Sequence, residues 1–390
     1  MHWIGKSFVI TLLCLAVTLM QSPPVQAQTA NSSLCFAGYE QSEGDLFERL
    51  ARGVNFPNWS PLYDGFKPSN EMLLSLQKQG LTHLRLPIDG EQIMPAFSDE
   101  QIKRQYLQEL ESAIIRLQDL GFVISLDMHP GGDFARMHER DPGVGYDQLV
   151  LAWDVMTRHL KKLPLKHKDP SRLLLELLNE PAPAEDVWWQ QAQELVDHLR
   201  SSWPETWLIV GPAFFQRYEV LARAQPLKGE KLIYAVHYYD PFPFTHQAIS
   251  WDDNSPLKDI AFLPFPLHRK HGAVQAQIAD LRQLGKEAAI TEIENTTREP
   301  WTSERVANDL RKVGQWAKRH EVPVLVNEFG VLTHAVDTKS RLRWLEAVTK
   351  GAEDVCLGWT HWDFSDGFGL IAYPEKVPDE MVLKALLDRK

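Results

Sequence analysis

Eight short runs of buried-strand character, separated by longer amphipathic stretches, constrain this chain more than any other feature of its sequence. The runs are "GVNF" (53–56), "LTHLRLPI" (81–88), "FVISLDM" (122–128), "LLLELLN" (173–179), "WLIVG" (207–211), "LIYAVHYY" (232–239), "PVLVNEF" (323–329) and "CLGWTHWDF" (356–364). Between them lie helical periods such as "NEMLLSLQKQG" (70–80), "DEQIKRQYLQELESAIIRLQDLG" (99–121) and "AEDVWWQQAQELVDHLRSSW" (184–203), each opening on polar or acidic residues. Gly80 and Gly121 stand where a helix C-cap is expected, directly before a strand. Strand and helix alternating about eight times predict an α/β fold, a single-domain (β/α)8 TIM barrel whose parallel strands are closed by right-handed crossovers. The competing architecture is a doubly wound open sheet, but no glycine-rich phosphate turn follows the first strand.

The chain has 390 residues, 44% hydrophobic and 24% charged, enough apolar material for one large core. Its formal charge of −11, with no cluster of Lys and Arg, excludes nucleic acid as a partner and favours a neutral or cationic ligand. The N-terminus carries Lys6, an apolar stretch over 8–20 and the small residues of "VQAQTA". This pattern predicts a signal peptide over 1–27 and an exported mature chain, 28–390, in the periplasm or outside the cell. The apolar stretch is shorter than the ~20 residues a span requires, so no membrane contact is expected once the signal is removed. Residues 28–45 read as a loosely ordered leading segment. Cys14 leaves with the signal, and Leu13 before it argues against a lipoprotein cleavage site. Cys35 and Cys356 remain; export permits a disulfide between them, but spacing alone leaves open whether they meet. No linker-like segment or internal repeat suggests a second module, and a monomer is expected.

In such a barrel, side chains at the C-terminal ends of strands face a site at the top, while the apolar residues behind them fill the interior. The predicted strand ends carry Asn55, Arg85, His129, Asn179 with Glu180, His237 with Tyr239, Asn327 with Glu328, and Trp362. Any one of these is readily explained as a structural hydrogen bond. Together they point to a site. Glu180 and Glu328 supply the two carboxyl groups that glycoside cleavage needs, one to protonate the leaving oxygen and one to attack or activate water from the other side. Arg85 suits a cationic neighbour for the nucleophile, and Asn179 suits a hydrogen bond to the sugar 2-hydroxyl.

At these residues the chain resembles glycoside hydrolase family 5, a group of retaining β-glycanases that includes many cellulases. The resemblance runs from "RGVNF" (52–56) to "WTHWDFSDGFGL" (359–370), and its most specific pieces are "LNEP" (178–181) and "VNEFG" (326–330). It implies that Glu180 is the acid/base and Glu328 the nucleophile. By the same likeness Arg85 and Tyr239 attend the nucleophile, His237 attends the acid/base, Asn179 and His129 meet sugar hydroxyls, and Trp362 forms the floor under the sugar. No cofactor or metal is implied.

Other features have plainer readings. "AITEIENTTREP" (289–300) offers Glu292 and Glu294 as a rival acidic strand end, but the helical "SERVANDLRKVGQWAKRH" (303–320) and the better match at Glu328 follow it. His129 and His237 lack the paired spacing of barrel metal sites. Trp188 and Trp189 fall within an amphipathic helix and read as core, and "HPGGDF" (129–134) reads as a tight turn. The long stretch 241–272, with Phe242, Phe244, His246 and Trp251, is expected to wall the cleft, and Trp251, Trp59 and Tyr63 are candidate sugar contacts. The expected function is an endo-1,4-β-glucanase acting on a β-linked glucan. Alternatives are a β-mannanase, a xyloglucanase, an exo-acting β-glucosidase on oligosaccharides, or, from another class, an inactive carbohydrate-binding barrel.

Overall fold

A computed structural model describes Cys35 and residues 41–388. The expected signal peptide lies outside the described residues. Eight parallel strands form a closed barrel in sequence order: β1 (Arg52–Asn55), β2 (His83–Ile88), β3 (Val123–Met128), β4 (Leu173–Glu176), β5 (Leu208–Val210), β6 (Leu232–His237), β7 (Val324–Glu328) and β8 (Gly358–His361). Pairing of Gly53 with both His83 and Thr360 shows β1 between β2 and β8, which closes the ring. Each strand coincides with one of the eight predicted runs. Around the ring stand α1 (Gln41–Leu50), α2 (Asn70–Lys78), α3 (Glu100–Asp119), α4 (Gly132–Arg140), α5 (Pro142–Leu160), α6 (Glu185–Ser202), α7 (Gly272–Gln283), α8 (Glu287–Thr296), α9 (Ser303–His320), α10 (Thr338–Glu353) and α11 (Glu380–Leu387).

The helix boundaries follow local chemistry. Ser69 caps α2 by accepting from Met72 N, and Asp99 caps α3 by accepting from Gln101 N and Ile102 N. Gly121, at φ +97, takes the left-handed turn from α3 into β3 that a side chain would disfavour. One correction concerns the leading segment, which is helical from Gln41 onward, because Leu46, Phe47 and Leu50 have a buried surface to meet. The stretch 241–272, expected to wall the cleft, holds a helical turn, Phe242–Thr245, and a 3-10 turn, Pro256–Asp259.

The barrel interior changes character from bottom to top. At the N-terminal end, Leu46, Phe47 and Leu50 of α1 pack with Val123, Leu174, Ile209, Ile233, Ala235 and Leu325 in one apolar cluster. Side chains two positions further along the same strands share their orientation. Those positions bring in polar groups: Ser125 and then Asp127 above Val123, Glu176 above Leu174, His237 above Ala235 and Asn327 above Leu325. His83 Nε2 and Ser125 Oγ, 2.8 Å apart, pair within the intermediate layer. The apolar plug therefore stabilises the bottom, and charge is confined to the top.

Cys35 and Cys356 form a disulfide spanning 321 positions of sequence. Cys356 precedes β8, so the bridge ties the start of the described chain to the bottom of the barrel, away from the polar end. Closing so long a loop restricts the unfolded chain, an effect of about 2–4 kcal/mol in typical proteins. Replacing Cys356→Ser is expected to lower the melting temperature by several degrees, as reduction of the native protein should, while leaving kcat unaltered. Calorimetry with and without reductant checks this.

Candidate active site

Arg85, at the top of β2, has no exposed surface and is the hub of the polar end. Its Nε and Nη2 donate to Glu176 Oε2 and Oε1 at 2.7 and 2.9 Å. Nη1 donates to Glu328 Oε1 at 2.7 Å and to Asn55 Oδ1 at 2.8 Å, and Nη2 donates to Asn179 Oδ1 at 3.0 Å. Asp127 Oδ2 lies 3.0 Å from Nη2. Burial disfavours the cation, but Asp127, Glu176 and Glu328 together outweigh it and hold the guanidinium well above its ordinary pKa.

Glu328 reaches the cleft because β7 is irregular. The register with β6 runs Val236 to Val326 and then His237 to Glu328, so β7 carries one extra residue there. A bulge of this kind lets neighbouring residues escape strict alternation. Asn327 turns inward and donates to Glu176 Oε1 at 2.7 Å, while Glu328 meets Arg85 and accepts from Tyr239 OH at 3.1 Å. His237 Nδ1 stands 3.4 Å from Glu328 Oε2 and 2.8 Å from Glu180 Oε1. It bridges the two acids.

Glu180 lies beyond the ladder of β4, whose last residue is Glu176. Leu177 N and Asn179 N still donate to Ile209 O and Met128 O, so the chain continues as an extension of the strand. Glu180 itself adopts φ 43, and its N–H donates to Gln216 Oε1 at 2.9 Å. Burial raises the pKa of its carboxyl group, with His129 and Arg85 acting against that shift. Burial likewise pushes the His237 imidazole down to about 4, so it is neutral across the physiological range.

On the far side, Asn179 Nδ2 lies 3.3 Å from His129 Nε2, and His129 Nδ1 lies 2.7 Å from Asp127 Oδ2. The His129 ring stacks on Trp362 at 5.6 Å between centroids. Burial raises Asp127 to about 7, with Arg85 opposing the shift. One donor atom each from Glu180, His237 and Glu328 lie within 4.8 Å of one another, close enough to hold a cation. Glu180 and His237 also bond to each other, and Glu328 bonds to Arg85 and Tyr239.

All eight predicted site residues, Arg85, His129, Asn179, Glu180, His237, Tyr239, Glu328 and Trp362, thus meet in one connected cluster. Three buried partners escaped the sequence reading: Glu176, Asp127 and Gln216. Glu176 and Asp127 had a usable signal, since each follows at even spacing from an inward-facing strand residue. Gln216 had none. Glu292 and Glu294 lie on α8, where Glu294 pairs with Arg269 at 2.5 Å. Trp188 is core, its Nε1 donating to Gly211 O, and Trp59 is buried with Nε1 donating to Pro87 O. Tyr63 OH is held 3.0 Å from Ser365 Oγ. Trp251 is 61% exposed and lies beside His246 and Phe368, whose rings flank Tyr239. The Gly131–Gly132 pair turns directly into α4, with Phe134 N donating to Glu91 Oε1.

Removing one member of a buried ion pair leaves the other short of a counter-charge, at a cost of about 3–5 kcal/mol. Asp127 and Glu328 still face Arg85 when Glu176 is changed, so Glu176→Gln is expected near the lower end, about 3 kcal/mol. Urea unfolding of the variant measures it.

Comparison with known proteins places this geometry in context. The family model described as Cellulase (glycosyl hydrolase family 5) matches residues 41–365. Endoglucanase 3 of Fibrobacter succinogenes is 28% identical over 341 residues, covering 83% of this chain, which spans only 50% of that relative's length. Endoglucanase C of Acetivibrio thermocellus is 22% identical over 352 residues, covering 87% of this chain and 98% of the relative. Among solved structures, Thermotoga maritima Cel5A in complex with mannotriose superposes with a TM-score of 0.66 at 21% identity, covering 88% of this chain and 100% of that one. The last likeness bears on the fold; the family match extends over most of the barrel and both strand ends that carry Glu180 and Glu328, and on that ground the chain belongs to glycosyl hydrolase family 5.

Proposed function

We propose that the protein is a retaining β-glycoside hydrolase, an endo-1,4-β-glucanase in which Glu180 is the acid/base and Glu328 the nucleophile. The observation that carries this reading is the convergence of a carboxylate oxygen from each, within 4.8 Å, on either side of His237. Retaining glycosidases hold their two carboxyl groups roughly 5–5.5 Å apart, whereas inverting ones need about 6.5–9.5 Å to admit a water.

In the first step a Glu328 oxygen attacks the anomeric carbon while the glycosidic C–O bond breaks, and the Glu180 proton passes to the leaving oxygen. In the second, water attacks the same carbon, its proton returns to Glu180, and the ester bond to Glu328 breaks. Arg85 and Tyr239 hold one oxygen each of Glu328 for attack. Trp362, stacked with His129, presents a ring face to the C–H side of a pyranose. Asn179, held by Arg85 and His129, orients its amide toward the sugar hydroxyls on which the transition state depends.

Endoglucanase relatives favour a β-1,4-glucan as substrate. Mannan is the second reading, because the Thermotoga maritima neighbour was solved with mannotriose. The signal-peptide pattern of the sequence over 1–27 favours export, and with it action on polysaccharide outside the cytoplasm. Among the described residues no helix is long and apolar enough to cross a membrane.

Reducing-sugar release from carboxymethylcellulose, mannan and xyloglucan ranks the substrates, with the glucan expected first; a pure sugar-binding protein would release nothing from any. Glu180→Ala is expected to lower kcat/KM on unactivated oligosaccharides by about 10²–10⁴-fold. On an activated aryl glycoside, where loss of the base leaves the second step rate-limiting, azide should raise kcat of Glu180→Ala by attacking the glycosyl-enzyme and yield a β-glycosyl azide. A general acid must be protonated to work, so kcat/KM should fall as pH rises through the Glu180 pKa, above the ordinary 4.5, and Glu180→Ala should lose that limb. A 2-fluoro glycoside should label the native protein at Glu328 and leave Glu328→Gln unlabelled. Labelling elsewhere assigns the nucleophile to another residue.

A further inference from the structure

The turn after β5, "GPAFFQR" (211–217), places three consecutive non-glycine residues at positive φ: Phe214 at 54°, Phe215 at 60° and Gln216 at 51°. Side chains disfavour this region because Cβ crowds the backbone carbonyl, and such strain persists where surrounding structure enforces it. The two phenylalanines gain little from it, since Phe214 is 54% and Phe215 69% exposed. What the turn does place inside is Gln216, which has no exposed surface.

Gln216 Oε1 accepts the Glu180 N–H at 2.9 Å, and Glu180 is itself in the left-handed region. The opposite end of the Gln216 amide, Nε2, is buried with no hydrogen-bond partner among the described residues. A side chain retained only for packing would not carry an unsatisfied donor into the interior. Gly211 makes room for it: a Cβ there would stand 2.2 Å from Gln216 Nε2 and 2.4 Å from its Cγ. The next residue, Arg217, forms a parallel bridge to His237 and ion-pairs with Asp240 at 2.8 Å. The turn thus grips both halves of the Glu180–His237 pair, one by a side chain and one by backbone.

We infer that Gln216 is a positioning residue for the acid/base, fixing the backbone of Glu180 so that its carboxyl group stays against His237 and aimed at the leaving oxygen. This rests on the reading of Glu180 as the acid/base. It assigns Gln216 no contact with substrate.

A residue that aims the acid matters most when the leaving group needs its proton. The test compares kcat/KM, which reports the glycosylation step, for cellotetraose and for a 2,4-dinitrophenyl β-cellobioside, whose leaving group departs without protonation. Gln216→Met is expected to lose roughly 10–100-fold on cellotetraose and less than about threefold on the aryl glycoside, with the alkaline limb of its pH profile displaced. Gly211→Ala, which pushes on the Gln216 Cγ from the other side, should give the same selective loss if Gln216→Met fails to fold. Glu180→Ala is the control. If it shows the selective loss and neither other variant does, or if they lose both substrates equally, the inference about Gln216 is overturned and the assignment of Glu180 stands. If Glu180→Ala is itself unselective, the assignment of Glu180 falls and takes the positioning role with it.

Discussion

A guanidinium with no exposed surface holds the mouth of the barrel together. Arg85 donates to the side chains of Asn55 on β1, Glu176 on β4, Asn179 beyond it and Glu328 on β7, and ion-pairs with Asp127 on β3. Isolating such a cation from water costs several kcal/mol unless its donors are used, and here a planar fork meets acceptors on both edges. A lysine would offer one point of charge where this geometry requires a plane. The same contacts that compensate for burial also fix where the candidate nucleophile stands, so stability and site geometry share one source. Neither can be altered alone.

Strict alternation along parallel strands would make a two-carboxylate site awkward, because only every second residue faces inward. The protein resolves this in two ways. On β7 a bulge lets Asn327 serve the interior and Glu328 the cleft, though they are adjacent in sequence. After β4 the chain leaves the ladder and turns through a left-handed residue, so that Asn179 and Glu180 both face the site while Glu176 remains below them. Each "Asn-Glu" pair thus depends on a local irregularity, reached by a different route.

The sequence made the barrel legible because apolar strands of the right length recur between capped helices, and each of the eight runs became a strand. The site was legible for a related reason: Arg85, His129, Asn179, Glu180, His237, Tyr239, Glu328 and Trp362 stand at or just past strand ends, where barrel geometry makes them converge. Asp127 and Glu176 were harder to see, since an acid inside an apolar run reads as an interruption until its partner across the barrel is known. Gln216 left no trace in periodicity or spacing; its bond to Glu180 depends on a turn whose backbone angles no propensity would favour. The disulfide also required three dimensions, because two cysteines 321 positions apart say nothing about where they lie.

The two glutamates differ in how their positions are held. Glu328 inherits its placement from the β7 ladder and from two donors, Arg85 and Tyr239, that are themselves buried or half-buried. Glu180 lies four residues past the last ladder residue of β4, one past the last backbone bond to β3, and its own N–H is not held by a neighbouring strand. Its position must therefore be supplied from outside, by His237 at the carboxyl group and by the β5 turn at the backbone. That asymmetry matches the chemistry proposed for them. A nucleophile attacks one atom along one line, whereas an acid/base must reach a leaving oxygen in one step and an incoming water in the next, from a site open enough to exchange the two.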